Sequence, residues 1–388
     1  MALTKVRGKA VDGGTISTET AGTNNLILGS TAGDSITSGG NQNTCIGDAA
    51  GTAITTGVEN TLVGYQAGDA ITDADFNVGI GWGALGANVL GSKSVAVGTA
   101  ALDAQNPASA TDMHNTAVGH AAGGAVTTGT ENTLMGSGAG DAMTDADRNT
   151  VVGYNALTTN TKSDRNTAIG RSALENLNHT SVTSGLNTAV GHGAGSSMTT
   201  GIQNTLIGAS AGDSIQDAQL AVVVGYNADT NGTGDGNQIV IGNNLTGAGA
   251  NNVKFGTSGG TATLGLDGSD TSWAASSDLR LKTNVADCAV GLDFIKDLRP
   301  ITFNWNKKDA IANTLAQYDA DSSDPVYGSG KTQHGFIAQE VKTAIDAHSG
   351  LKNGFTMWSE DPDGTQQVAP SALIPMLTKS IQELSAKN

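Results

Sequence analysis

Asn60-Thr61-Leu62-Val63-Gly64, Asn132-Thr133-Leu134-Met135-Gly136 and Asn204-Thr205-Leu206-Ile207-Gly208 are equally spaced copies of one pattern, Asn-Thr-x-x-Gly. Looser copies fill the intervals, so that thirteen closing glycines run from Gly29 to Gly242. Most steps between them have a length of 17; those from Gly98 to Gly119 and from Gly170 to Gly191 have a length of 21. Three short steps and one long one make a block of 72. A fixed short period marks a stacked architecture rather than a globular core.

Each copy reads as a short strand of small, branched or apolar residues between Asn and Gly, the residues that close tight turns. A second half, such as Tyr65-Gln66-Ala67-Gly68, ends in small residues where coils approach closely. One coil per step, stacked at about 4.8 Å per rung, gives a rod on the order of 60 Å long. Ordering a coil costs about 1–2 kcal/mol per residue, while about three apolar side chains per coil return about 1.5–3 kcal/mol each. That balance predicts burial between chains. The expected fold is therefore mainly β, a parallel homotrimeric β-roll or β-solenoid shaft, with a single-chain solenoid as the alternative. Similar rungs pose a second problem, because chains can align one rung out of register at little cost.

Composition agrees with a stack. There are 54 Gly, 6 Pro and 4 % aromatics, and no Gly-x-y period, which excludes collagen. Residues 1–276 hold 9 Lys and Arg against 22 Asp and Glu, so the shaft is acidic and nucleic acid is not an expected partner. Cys45 and Cys288 lie far apart and imply no disulfide framework. Met1 to Ala10 has no apolar run and no stretch reaches the length of a membrane span, so neither a secretory signal nor an anchor is expected.

From Ser277 onward Arg, Lys, Phe and Trp appear. The divisions expected are an attachment segment (1–22), the shaft (23–246), a Gly/Ser/Thr-rich neck (247–276) and a small α+β domain (277–388). Asp293 to Leu298 predicts a helix stopped at Arg299-Pro300, and Ile301 to Trp305 alternates as a strand. A helix is predicted after His334-Gly335-Phe336, and Pro370 opens a last one reaching Leu384, whose apolar spacing near 3 and 4 suits a coiled coil.

Ser277-Asp278-Leu279-Arg280-Leu281-Lys282, Leu298-Arg299-Pro300 with Phe303 and Trp305, Gly335-Phe336-Ile337-Ala338-Gln339-Glu340-Val341 and Ala372-Leu373-Ile374-Pro375 follow one another in an order that resembles the intramolecular chaperone domain of endosialidases and other phage tailspikes and fibres. The Asn-Thr-x-x-Gly rungs resemble the β-roll heads of trimeric autotransporter adhesins and phage tail-fibre shafts. The resemblance implies a virion tail-fibre protein made in the host cytoplasm. It would be held to a tail or baseplate protein and would contact a glycan or outer-membrane receptor on the host. It also implies self-cleavage between Ser276 and Ser277, with Ser277 as nucleophile, Lys282 as proton acceptor and Asp278 in an orienting role. No other enzymatic activity, cofactor or metal is expected. Two alternatives are a tailspike that degrades a surface glycan and a cellular trimeric adhesin.

His120 and His192 occupy equivalent positions one block apart and are read as structural or solvent-facing. Thr72-Asp73-Ala74-Asp75 and Thr144-Asp145-Ala146-Asp147 are read as turns rather than calcium ligands. The long steps, Gln105 to His114 and Glu175 to Leu186, are candidate recognition loops, with Trp82, Tyr154 and Tyr226 as exposed aromatics.

Overall fold

The computed structural model describes residues 20–257, 260–266, 274–275, 279, 282–313, 315, 317–327, 331–352, 355–361 and 364–387. The chain divides into two compact units, Met1–Ser276 and Ser277–Asn388. The first is a parallel β-solenoid. Its 16-stranded sheet takes one strand from each coil, beginning with Leu26–Leu28, Thr44–Ile46 and Thr61–Val63, in chain order and in register. Thr61 lies between Thr44 and Val78, and Leu62 between Cys45 and Gly79. The neck continues the same sheet. Asn252–Thr257 pairs parallel with Ile239–Asn243, and Gly260–Gly265 then turns back antiparallel on it.

Each rung strand is short, and its middle side chain points inward. Cys45, Leu62, Ala96, Leu134, Val151 and Leu206 are all 0 % exposed. From Gly29 to Gly225 the third residue after each ladder glycine is a buried alanine, as at Ala50, Ala67, Ala84 and Ala101. The core therefore closes within one chain, not between chains as the count of large apolar side chains predicts. That count omitted the alanines and the burial that each rung gives to the next, so burial alone does not require a trimer.

Two devices fix the stack. The first is a file of buried asparagines. The Asn60 backbone N–H donates to Asn43 Oδ1 (3.0 Å), and Asn60 Nδ2 donates to Asn43 Oδ1 (3.1 Å) and to the carbonyl of Ala74 (2.9 Å). Asn132 repeats all three bonds, to Asn115 and Ala146. The amide thus saturates backbone groups that would otherwise be buried unpaired. The second device is the glycine file. Gly136 has φ +134°, and a Cβ there would sit 2.5 Å from the carbonyl oxygen of Gly153, so only glycine fits.

The core is filled in two ways. In one kind of rung the fourth residue after the ladder glycine is Gly and an aliphatic follows three later, as in Gly51 with Ile54 and Gly68 with Ile71. A Cβ on Gly68 would lie 2.8 Å from Ile71 Cδ1 and 2.7 Å from Leu62 Cδ2, so the aliphatic occupies that space. In the other kind the fourth residue is Leu85, Leu102, Leu157 or Leu174, all 0 % exposed. Asn88 and Asn160 then stand where the aliphatic was and bond the next turn, to the carbonyls of Gly91 (2.7 Å) and Ser163 (2.9 Å).

The second unit contains helices α1 (Leu292–Asp297), α2 (Ala338–Ala347) and α3 (Ile374–Ser385), where sequence periodicity predicts them. Two antiparallel strand pairs accompany them: Ile301–Phe303 with Gln333–Gly335, and Trp358–Glu360 with Gln366–Val368. Phe294, Val341, Ile345, Met357, Leu373 and Met376 form the core.

Candidate functional site

The motif expected to direct self-cleavage is only partly described. Ser276, Ser277, Asp278, Arg280 and Leu281 lie outside the described residues. Lys282 is exposed, and its backbone N–H donates to the carbonyl of Leu279 (3.1 Å).

The remaining motif residues converge. Ile301, directly after Arg299-Pro300, pairs with Gly335, so the two segments that carry the resemblance lie side by side. Arg299 grips Glu340 at the start of α2 with two bonds, Nε to Oε2 (3.0 Å) and Nη2 to Oε1 (2.5 Å). These bonds hold the Glu340 carboxyl below its ordinary range and push the guanidinium further up. Trp305 stacks edge-on with Phe303 (5.1 Å) and Tyr327 (4.9 Å). Phe294 on α1 meets Phe355 (5.7 Å) and His348 (5.5 Å) edge-on, and His348 Nε2 bonds Asp297 Oδ2 (2.8 Å). The N–H of Leu292 donates to Glu383 Oε2 (3.0 Å), which ties the first turn of α1 to α3.

Helix α3 has two faces. Leu373, just before it, and Met376 and Ser380 within it turn into the core. Ile374, Leu377, Ile381 and Leu384, spaced 3, 4 and 3 apart, are 63, 43, 66 and 48 % exposed. That spacing is one seam of a heptad repeat.

Residues 277–350 match the family model described as chaperone of endosialidase. No curated protein and no solved structure matches the chain. The match begins at Ser277 and takes in the Arg299–Glu340 clamp, the Ile301–Gly335 pairing and the whole of α2; α3 lies beyond it. An intramolecular-chaperone domain behind a β-solenoid is what these findings support.

On the shaft, the acidic turns serve as latches between rungs. Asp73 Oδ1 accepts from Thr55 Oγ1 (2.6 Å) and Thr56 Oγ1 (2.8 Å), which hold its carboxyl below the usual range. Asp75 and Asp147 accept the N–H groups of Val58 (2.8 Å) and Thr130 (2.7 Å). His120 and His192 are exposed, and Arg171 Nη1 lies 3.1 Å from His192 Nε2. Among the described residues, no group of three or more His, Cys, Asp or Glu could hold a metal ion, and no helix is long and apolar enough to cross a membrane.

Much of each candidate recognition loop is structural. Gln105 is 0 % exposed, and its Oε1 accepts from Ser94 Oγ (3.2 Å) and Asn115 Nδ2 (3.0 Å). It repairs the asparagine file where Ser94 is too short to continue it. Leu177 and His179 are buried in the equivalent coil. The exposed residues are Asn106, Ala108–Ala110, Asp112 and His114 in one loop and Asn176, Asn178, Thr180–Val182 and Leu186 in the other. Trp82, Tyr154 and Tyr226 are 54, 53 and 59 % exposed, one in every fourth rung.

Proposed function

We propose that this chain is a phage or prophage tail-fibre protein. Its solenoid is the shaft that meets the host surface, and its C-terminal unit is the chaperone that trimerises it and sets its register. The observation that carries this reading is the chaperone-of-endosialidase match that follows, after the neck, a stack of near-identical rungs. A shaft whose rungs cannot choose their alignment needs a non-repetitive partner domain, and the exposed heptad seam of α3 suits three-chain association. The host ligand would be a surface glycan or outer-membrane receptor, and the other end of the fibre would be held by a tail or baseplate protein.

Cleavage between Ser276 and Ser277 would then release the chaperone. Ser277 Oγ adds to the Ser276 carbonyl and its proton passes to Lys282. The amine of Ser277 leaves with the proton returned by Lys282, and water hydrolyses the resulting ester to restore the Ser277 hydroxyl. Asp278 orients the pair. The division of the chain into compact units at this bond, and a family match that starts there, support the assignment. Denaturing electrophoresis tests it. Wild type should give pieces of about 28 and about 11 kDa, at about 0.1 kDa per residue, and Ser277→Ala a single full-length band. A full-length band from both rejects cleavage. Expression without residues 277–388 should yield insoluble or non-trimeric shaft; soluble trimers would reject the chaperone role.

A further inference from the structure

Among the described residues of the first unit, the outward side of the shaft sheet carries exposed and half-buried side chains. The residue before each ladder glycine is Leu, Ile, Val or Met in all thirteen rungs, from Leu28 to Ile241. In-register pairing stacks these residues in one file: Val63 beside Ile80, then Val97, Val118 and Met135. Met135 is 47 % and Ile207 41 % exposed. A second outward file, at the first position of each strand, is Thr, Val, Leu or Ile throughout. None of the thirteen strands contains Asp, Glu, Lys or Arg. The file before the glycines is apolar in every rung, while the second is Thr in eight rungs and aliphatic in five, so the face is uncharged throughout but only its first file is continuously apolar.

The two files cover about 60 Å by about 10 Å, on the order of 600 Å², the upper end of what a monomer leaves bare. Exposed Tyr65 and Trp82 follow their ladder glycines on one side of the strands, and exposed Phe76 and Leu220 precede the strands on the other. The same two edge positions in other rungs carry Asp48, Glu59, Lys93, Glu131, Arg148 and Arg171, so an apolar centre is bordered by a mixed aromatic and charged rim, which is the anatomy of a protein interface.

Two observations select the occupant. The stripe repeats at the strand spacing over thirteen rungs, so its partner must carry the same repeat over the same length; another copy of this chain does. Residues 1–276 are also strongly acidic, with 22 Asp and Glu against 9 Lys and Arg, so two shafts repel each other unless they meet where charge is absent. We infer that copies of this chain pack side by side, parallel and rung against rung, through this aliphatic stripe. The number of copies rests on the trimeric reading above, with three stripes facing a common axis. Because each core is already closed, association covers finished solenoids. Because one rung resembles the next, the stripe holds chains together without choosing their alignment.

The test uses the full-length chain in a Cys288→Ser background, with native Cys45 buried. Val118→Cys places a thiol on the stripe. Ser35→Cys places one at an exposed position about half a coil away from the strand. Under mild oxidation Val118→Cys should give interchain disulfides in most molecules, and Ser35→Cys none, on a non-reducing gel. Light scattering gives the number of chains in solution. An oligomer in which the two variants cross-link equally little overturns the stripe and leaves the trimer standing. A monomeric full-length chain overturns both.

Discussion

In the shaft, what holds a residue in place recurs one coil further on, and the buried side chains do not exceed Ile, Leu and Met in size. In the C-terminal unit, Phe294 makes contacts found once, with Phe355, His348 and the neighbouring helices. The shaft gains stiffness from repetition and loses information by it, since a contact that exists thirteen times identifies no position. The C-terminal unit gives up repetition and gains identity. Each region supplies what the other lacks.

The sharpest way to break this contrast is to damage equivalent shaft positions. Gly136→Ala drives a Cβ into the Gly153 carbonyl at a φ that disfavours alanine, and should cost about 5 kcal/mol by urea unfolding. Gly64→Ala should cost the same within about 1 kcal/mol if rungs are equivalent. A large disparity would mean that they are not. Phe294→Ala should remove about 4 kcal/mol from the C-terminal unit alone, leaving the shaft transition unmoved. Asn132→Leu strips partners from the Ala146 carbonyl and the Asn149 N–H, for about 3 kcal/mol. Gln105→Leu, which leaves Ser94 without its acceptor, should cost about 1 kcal/mol by the same measurement.

The smallest effect is a pH slope. Burial pushes the His179 imidazole below its ordinary 6.5, so the unfolded chain takes up the proton first. Stability is then full above about 6.5 and declines as pH falls below it. His179→Gln should flatten that decline in thermal melts between about pH 7 and about pH 5; an unchanged slope would place the proton elsewhere.

Much of this was legible beforehand. The period, the glycine file and the parallel stack follow from Gly29 to Gly242, because a φ near +135° under a neighbouring carbonyl admits only glycine and so marks itself in the sequence. The C-terminal helices were legible from Arg299-Pro300 and Pro370. Three things were not. The residue before each file asparagine is also left-handed, yet it is Glu59, Phe76, Arg148 or Leu186, at φ 52–59°. The asparagine bonds impose that strain, so no local preference announces it. Closure of the core within one chain was hidden because alanines look too small to count. Gln105 looked like the start of a loop because its partner, the shortened Ser94, stands well back in an unlike rung. At the cleavage motif, the structure adds the exposure of Lys282 but describes neither Ser277 nor Asp278.

The two ways of filling the core fix how a shaft of this kind can change its length. From Gly47 to Gly208 glycine-type and leucine-type rungs come in pairs, and the long step always follows the second leucine-type rung, the one with Leu102 or Leu174. Excising a single coil within a block would leave one rung without the pair of its own type. Excising residues 120–191 joins Gly119 to His192, the counterpart of His120, and restores every neighbour. Such shafts would shorten or lengthen in whole blocks of four coils, about 19 Å at a time.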